Sequence, residues 1–181
     1  LLDQTSAHCS ALRAQVLSEA SLRVLAEIVK EKFPEAEMLM GTSTAGIAHA
    51  AITATILDLP MGYVRSGHKD HGRQNQIEGK MEPGTKVVVI EDLISTGGSV
   101  LEVVDVLRQA GAQVLGIASI FTYGLQKGVE RLAAADVVNY SLSDFDTLSK
   151  VAAAEGYIAD KGIAKLTAFQ KNPQDPAWME L

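Results

Sequence analysis

One cysteine, Cys9, in 181 residues excludes a disulfide within the chain. A scaffold stapled for the extracellular space is therefore ruled out, and a reducing cytoplasm is the expected setting. Positive charge is also scarce: 16 Lys and Arg against 22 Asp and Glu leave a formal charge of -6. A protein whose partner is nucleic acid needs a basic footprint, so no nucleic-acid partner is expected, and any anion site must be a local concentration of positive groups. Long hydrophobic runs are missing too. The longest, AGIAHAAITATILDL, is interrupted by His49 and two threonines and falls short of the roughly 20 apolar residues that span a bilayer. It reads as a buried helix, with no membrane partner. The chain opens LLDQTSAHCS, with neither an initiator methionine nor the basic-then-apolar pattern of a signal peptide. Internal repeats and low-complexity segments are absent as well.

What is present is a chain long enough for one core and too short for two, so residues 1–181 are expected to form a single domain. Leu12, Val16, Ala20, Val24 and Ile28 recur every four residues, which predicts a helix from Ser10 to Lys32, stopped by Pro34. After it the pattern alternates. AEMLM reads as a strand, with a helix running to about Leu57; MGYVR follows as a strand, then a long polar loop, then the strand KVVVI. A helix over 99–110, the strand QVLGIASI, a helix over 125–135 and the strand DVVNY complete the series, with one or two helices and an irregular tail after 143. Continuous β-branched strands alternating with helices indicate an α/β fold: a single-domain open parallel sheet flanked by helices.

Ligands of such sheets bind at the carboxyl ends of the strands. Three loops in that position stand out. In VVVIEDLISTGGS, 87–99, the stretch Thr96-Gly97-Gly98-Ser99 stands at a strand-to-helix junction, where free N–H groups and the helix dipole favour an anion. No Walker lysine and no GxGxxG accompanies it, which argues against an NTPase or a dinucleotide site. Glu91 and Asp92 would repel a phosphate, so they require another partner: sugar hydroxyls, or a magnesium ion carried by a polyphosphate. A ribose 5-phosphate satisfies both halves of the motif. The plainer alternative is two solvated acids in front of an ordinary helix cap.

The second loop, GTSTAGI at 41–47, offers Thr42, Ser43 and Thr44 to a second anionic group, although hydroxyls before a helix are also common N-caps. The third, YVRSGHKDHGRQNQIEG at 63–79, concentrates Arg65, His68, Lys69, His71 and Arg73 in an acidic protein. A basic lid of this kind neutralises a leaving anion and excludes water. His68 and His71 have no cysteine or acid cluster near them in sequence to complete a metal site.

These residues carry a resemblance. VVVIEDLISTGGS is similar to the phosphoribosyl pyrophosphate signature of the type I phosphoribosyltransferases. The resemblance implies that Glu91 and Asp92 hold the ribose hydroxyls, that residues 95–99 wrap the 5-phosphate, and that 41–47 is the diphosphate loop. The substrate-binding set it implies is Glu91, Asp92, Leu93, Ile94, Ser95, Thr96, Gly97, Gly98 and Ser99 with Thr42, Ser43 and Thr44. R-S-x-x-K-D-H-G followed by N-x-I-E-G resembles the catalytic loop of the orotate branch of that family, as do EGKMEPGTK, FTYG at 121–124 and the Asp-Pro-Ala-Trp tail. Within that resemblance Arg65, Lys69, His71 and Asp92 are the catalytic residues, the first three on the diphosphate and reaching into a neighbouring subunit, and Ser95 touches orotate. Phosphoribosyl pyrophosphate and orotate are then the substrates. Mg2+ would be carried by the diphosphate with no resident metal site, and a homodimer with shared active sites is the implied assembly.

Several positions depart from the family pattern. Ala45 stands where some members have a lysine, Ser66 where many have a second basic residue, and Tyr123 where another branch places an arginine on orotate. The family's N-terminal hood is not seen before Leu1 and is expected to be missing or reduced. Two rival expectations remain: a phosphoribosyltransferase for another base, and a sensing regulator that keeps the donor site without the chemistry. No Ser-His-acid or Cys-His constellation is legible, which suits a transfer that needs no protein nucleophile.

Overall fold

A computed structural model describes residues 19–65 and 76–180. The predicted first helix is described as α1, Glu19–Lys32; its expected beginning at 10–18 lies outside the described residues. The order that follows is β1 Met38–Thr42, α2 Ala45–Leu57, β2 Met61–Val64, β3 Ile77–Glu78, β4 Lys86–Ile94 and α3 Gly98–Gln109. Then come β5 Gln113–Thr122, α4 Gln126–Ala134, β6 Asn139–Asp144, α5 Phe145–Ala154, α6 Asp160–Lys171 and a 3-10 turn at Pro176–Met179.

The sheet runs β3-β2-β1-β4-β5-β6 and is parallel except for β3, which pairs antiparallel with β2. The expected α/β architecture is therefore present with one addition, the short edge strand β3, hidden in sequence because Ile77 and Glu78 are two residues within a polar stretch. Helices cover both faces. Val87 and Val89 of β4 pack with Val100, Val103, Val104 and Leu107 of α3 on one side, while Val88 and Ile90 pack with Leu25 and Val29 of α1 and Ala50 and Ala54 of α2 on the other. Every residue of β1 is buried, as a central strand between two helical layers must be.

The last strand begins later than DVVNY suggests. Asp136 adopts a left-handed φ of 49°, and the Arg108 guanidinium donates to the carbonyls of Ala135 and Asp136 at 2.7 and 2.9 Å, so this stretch closes α4 and is not free to pair. Pairing starts at Asn139, opposite Ile117, and continues into the polar NYSLSD. There Ser119 Oγ meets Asn139 Oδ1 at 2.9 Å and Ser141 Oγ at 2.6 Å, which satisfies the hydroxyls that made the segment look unlike a strand.

The β4–β5 register shifts where Val87 pairs with Val114 and Val88 with Gly116. At that irregularity the Phe33 ring lies against Gly116, and an added Cβ would come within 2.5 Å of it and 2.9 Å of Val138. Gly116→Ala is expected to cost about 1–3 kcal/mol, the usual penalty for overpacking, read as a lower urea midpoint; an unchanged midpoint would refute this account of the Phe33 packing.

Candidate active site

The chain leaves β1, passes through α2 to β2 on one side, and returns to β4 on the other side of β1. That reversal opens a crevice at the carboxyl ends of β1 and β4, where open α/β sheets bind ligands. A cleft of about 310 Å3 occupies it, lined by Thr42, Ser43, Val64, Arg65, Gln76, Glu91, Asp92, Leu93, Ser95, Ser99, Glu102, Val103 and Val106. Segments about 50 residues apart in sequence thus meet because β1 and β4 are paired neighbours, with Gly41 opposite Ile90.

Glu91 and Asp92 are not loop residues. β4 continues through both to Ile94, and Glu91 is 5% exposed. A buried carboxyl needs hydrogen bonds, and Glu91 Oε1 accepts from Thr42 Oγ1 at 2.7 Å and from the Asp92 N–H at 3.0 Å. Burial, and then the Asp92 carboxyl beside it, push Glu91 up from 4.5 to about 8, while the Thr42 hydroxyl pulls the other way. Glu91 therefore holds its proton to higher pH than an ordinary carboxyl does.

The two hydroxyls expected on the second loop are turned inward. Thr42 donates to Glu91, and Ser43 Oγ donates to the Val64 carbonyl at 2.8 Å, with the Ser43 N–H on the same carbonyl at 3.2 Å. The Ser43–Thr44 peptide is cis. Thr44 occupies the N-cap position of α2 without capping it through its side chain. The same is true of α3, whose N-cap is Gly97 at φ 73°, again with no side-chain cap. An ordinary cap would use the neighbouring Ser or Thr hydroxyls on the first-turn N–H groups; here both helices keep those donors clear of side-chain caps, as an anion cradle requires. A residue with a Cβ is strained at the Gly97 φ.

The 95–99 loop is held from behind by α4. A Cβ on Gly128 would stand 2.5 Å from the Ser95 carbonyl, so the helix packs directly on the loop backbone, and Arg131 Nη1 donates to the Thr96 carbonyl at 3.3 Å. Ser95 and Ser99 face the cleft, Thr96, Gly97 and Gly98 form its backbone turn, and Leu93 lines it. Ile94 lies in the hydrophobic cluster on the α3 side of the sheet, so only its backbone is available to a ligand.

Arg65 stands at the cleft mouth, its Nε 3.3 Å from Glu78 on β3 and its N–H on the Gln76 carbonyl at 2.9 Å. Lys69 and His71, together with the rest of 66–75, lie outside the described residues. Tyr123 does not line the cleft: its ring packs against Phe121 and Phe145, in an aromatic series that continues through Phe169 to Trp178. Sequence reading missed Val64, Gln76, Glu102, Val103 and Val106. The three on α3 or beside it were disguised by position, since Val103 belongs to a helical apolar stripe and Glu102 to its solvent side. No group of three or more metal-ligating side chains converges among the described residues, and no described helix is long and apolar enough to cross a membrane.

A largely parallel sheet with an acidic pair at its switch point, between two helix starts without side-chain caps, is the arrangement of the cleft. The model of the phosphoribosyl transferase domain family matches residues 10–150, and the chain belongs to that family. It stands among the orotate phosphoribosyltransferases by sequence: it is 57% identical over 155 residues to the enzyme of that name from Bacillus cytotoxicus, covering 86% of this chain and 74% of that one. Among solved structures, orotate phosphoribosyltransferase from Aeropyrum pernix is 29% identical with a TM-score of 0.64, over 78% of this chain and 80% of that one. UMP synthase from Leishmania donovani shares the fold at 23% identity and a TM-score of 0.72, over 88% of this chain and 35% of that one.

A raised carboxyl makes stability pH-dependent. The Glu91 value in the folded protein, about 8, lies above its ordinary 4.5, so its contribution is fully present below about pH 4.5 and is lost as pH rises through about 8. The ligand-free protein is expected to lose urea stability across that window and Glu91→Gln to flatten the loss; parallel pH profiles for the two proteins would contradict the burial argument.

Proposed function

We propose that the chain transfers ribose 5-phosphate from phosphoribosyl pyrophosphate to orotate, giving orotidine 5-monophosphate and pyrophosphate, a step of pyrimidine biosynthesis. The observation that carries this reading is the placement of Glu91 and Asp92 between the starts of α2 and α3. A donor with a phosphate at one end, a diphosphate at the other and two hydroxyls between them matches that order. The α3 start and residues 95–99 take the 5-phosphate on backbone N–H groups. Asp92 and Glu91 accept from the ribose hydroxyls, and the loop of residues 42–44 receives the diphosphate at Thr44 and the start of α2, since the Thr42 and Ser43 hydroxyls and the Ser43 N–H bond inward.

Catalysis on this reading is orientation plus charge placement. The bond from C1 to the diphosphate breaks through an oxocarbenium-like state as the base nitrogen approaches from the other side, as in glycosyl transfer generally. Arg65, with Lys69 and His71 by family resemblance, neutralises the departing diphosphate. Among the described residues, three carboxyl groups, Glu91, Asp92 and Glu102, stand against one guanidinium, Arg65, in the cleft wall. A polyanion enters such a site more readily with its own cation, and Mg2+ is the ion suited to hard carboxylate and phosphate oxygens. When bound, it would offset diphosphate charge beside the acids.

The same reading includes a homodimer in the cytoplasm. AGIAHAAITATIL is apolar on every side, and a helix of that kind is ordinarily covered all round. Ile52 and Ile56 on α2 and Val24 on α1 are nevertheless exposed, which a second copy would remedy. Ile52→Lys is expected to shift the sedimentation mass from dimer to monomer; an unchanged mass would place the contact elsewhere.

The reaction is checked by following orotate consumption with phosphoribosyl pyrophosphate and Mg2+, against uracil and purine bases. Turnover of orotate alone is expected. Turnover of a different base, or donor binding without turnover, would replace the proposal with another transferase or a sensor. Lys69→Ala is expected to lower kcat at least a hundredfold, about 2.7 kcal/mol of barrier, with a far smaller effect on donor affinity. Equal losses in both would mark Lys69 as a binding residue only.

A further inference from the structure

The Thr42 hydroxyl is 4% exposed and 2.7 Å from Glu91 Oε1, and it lies also 3.3 Å from the Ile90 carbonyl. We propose that Thr42 is a positioning residue, which fixes the Glu91 carboxyl for the ribose hydroxyls of the donor and ties the diphosphate loop to the acidic pair. The proposal rests on the phosphoribosyl reading of the cleft.

Three observations converge on this role. Oε1 of Glu91 receives both Thr42 Oγ1 and the Asp92 N–H, so the carboxyl is oriented from two directions. Gly46 makes room for the hydroxyl: a Cβ there would stand 2.3 Å from Thr42 Oγ1 and 2.6 Å from the Ile90 carbonyl. The backbone hydrogen bonds and register of β1 place Thr42 where the strand ends and the loop begins, with the next residue, Ser43, anchored to β2 through Val64. A movement of the diphosphate loop is therefore felt at Glu91 through one hydroxyl.

The hydrogen bond also favours the ionised carboxylate, the form that accepts from two sugar hydroxyls. Among the described residues, the charged groups around Glu91 in the cleft are Asp92 on its own strand, Arg65 just after β2 and Glu102 on α3, while β1 and the residue after it present Thr42 and Ser43. Two of those three charges oppose ionisation. Thr42 is the neutral donor that works against them, alongside the Asp92 N–H. Removing it raises the carboxyl further, so the ionised form is reached at a higher pH.

The test compares wild type with Thr42→Val, which keeps the shape, and Thr42→Ser, which keeps the donor. Affinity for phosphoribosyl pyrophosphate with Mg2+, and for inorganic pyrophosphate, is measured by calorimetry across pH. Thr42→Val is expected to weaken donor binding roughly tenfold, the order for one hydrogen bond to a charged group, and to move the acid limb of the binding profile to higher pH. Thr42→Ser restores both, and pyrophosphate affinity falls by less than donor affinity in Thr42→Val, because pyrophosphate has no sugar. An acid limb that does not move in Thr42→Val, an equal loss for pyrophosphate, or failure of serine to rescue overturns the proposal. If Thr42→Val does not fold, Thr42→Ala enters the same comparison. Absence of donor binding by wild type would instead overturn the phosphoribosyl reading itself.

Discussion

Glu91 ends a run of four fully buried residues, Val87 to Ile90, where a carboxyl group is costly unless donors reach it. Much of the site follows from meeting that need. One donor, the Asp92 N–H, comes from the same strand, and the side-chain donor comes from the neighbouring strand β1. β1 supplies it only if its register sets Thr42 beside Glu91, and the pairing of Gly41 with Ile90 does so. The hydroxyl in turn needs space against the start of α2, which Gly46 provides. One buried acid thus fixes a strand register, a helix approach and the identity of a glycine. None of these is required by the fold alone.

The supporting helices obey a similar economy of space. Gly41 lets α2 lie on β1, with a Cβ there only 2.9 Å from the Gly46 carbonyl and the Ile47 Cα, and Gly128 lets α4 lie on the Ser95 carbonyl. Close backbone approach of this kind sets loop position more firmly than side-chain packing, since backbone atoms have no rotamers through which to yield. The two loops are therefore attached to rigid elements. C-terminal to them, the aromatic series from Phe121 to Trp178 fastens α5, α6 and the last turn to the tip of β5, with Gln170 donating to the Tyr123 carbonyl at 3.0 Å.

Periodicity and turn chemistry made the alternation of strands and helices legible, and the rule that ligands lie at strand ends selected three loops, of which the first two and Arg65 of the third line one cleft. β1, β4 and β2 are adjacent in the sheet, so the loops that follow them converge, although only the first two and the start of the third are described. The acids' environment was not legible. Glu91 and Asp92 look like the start of a polar loop, because local composition cannot report that a strand continues for four residues past its apolar run when one neighbour, β5, still offers pairing through Ile94. The direction of the Thr42 and Ser43 hydroxyls was hidden for the same reason: both are set by partners on other strands. β3 and the late start of β6 were missed where a two-residue pairing and a guanidinium bridge, neither visible in hydrophobic pattern, decided the outcome.

A site for a polyanion walled by more carboxyls than cations seems self-defeating only if every group is assigned to the same part of the ligand. Charge at a few ångströms is expensive to misplace in a partly buried cleft, so the separation of roles has to be spatial. Phosphate groups at the two ends meet N–H groups, which carry only partial charge and cost little when empty. The acids meet the middle of the ligand, which has hydroxyls and no charge. Proton retention by Glu91 then has a physical use: it keeps the empty cleft closer to neutral, and it leaves the full charge of the pair to be expressed when sugar hydroxyls are there to donate to it. On the phosphoribosyl reading, binding and ionisation at Glu91 are one linked event, and Thr42 is the donor whose presence decides at what pH that event occurs.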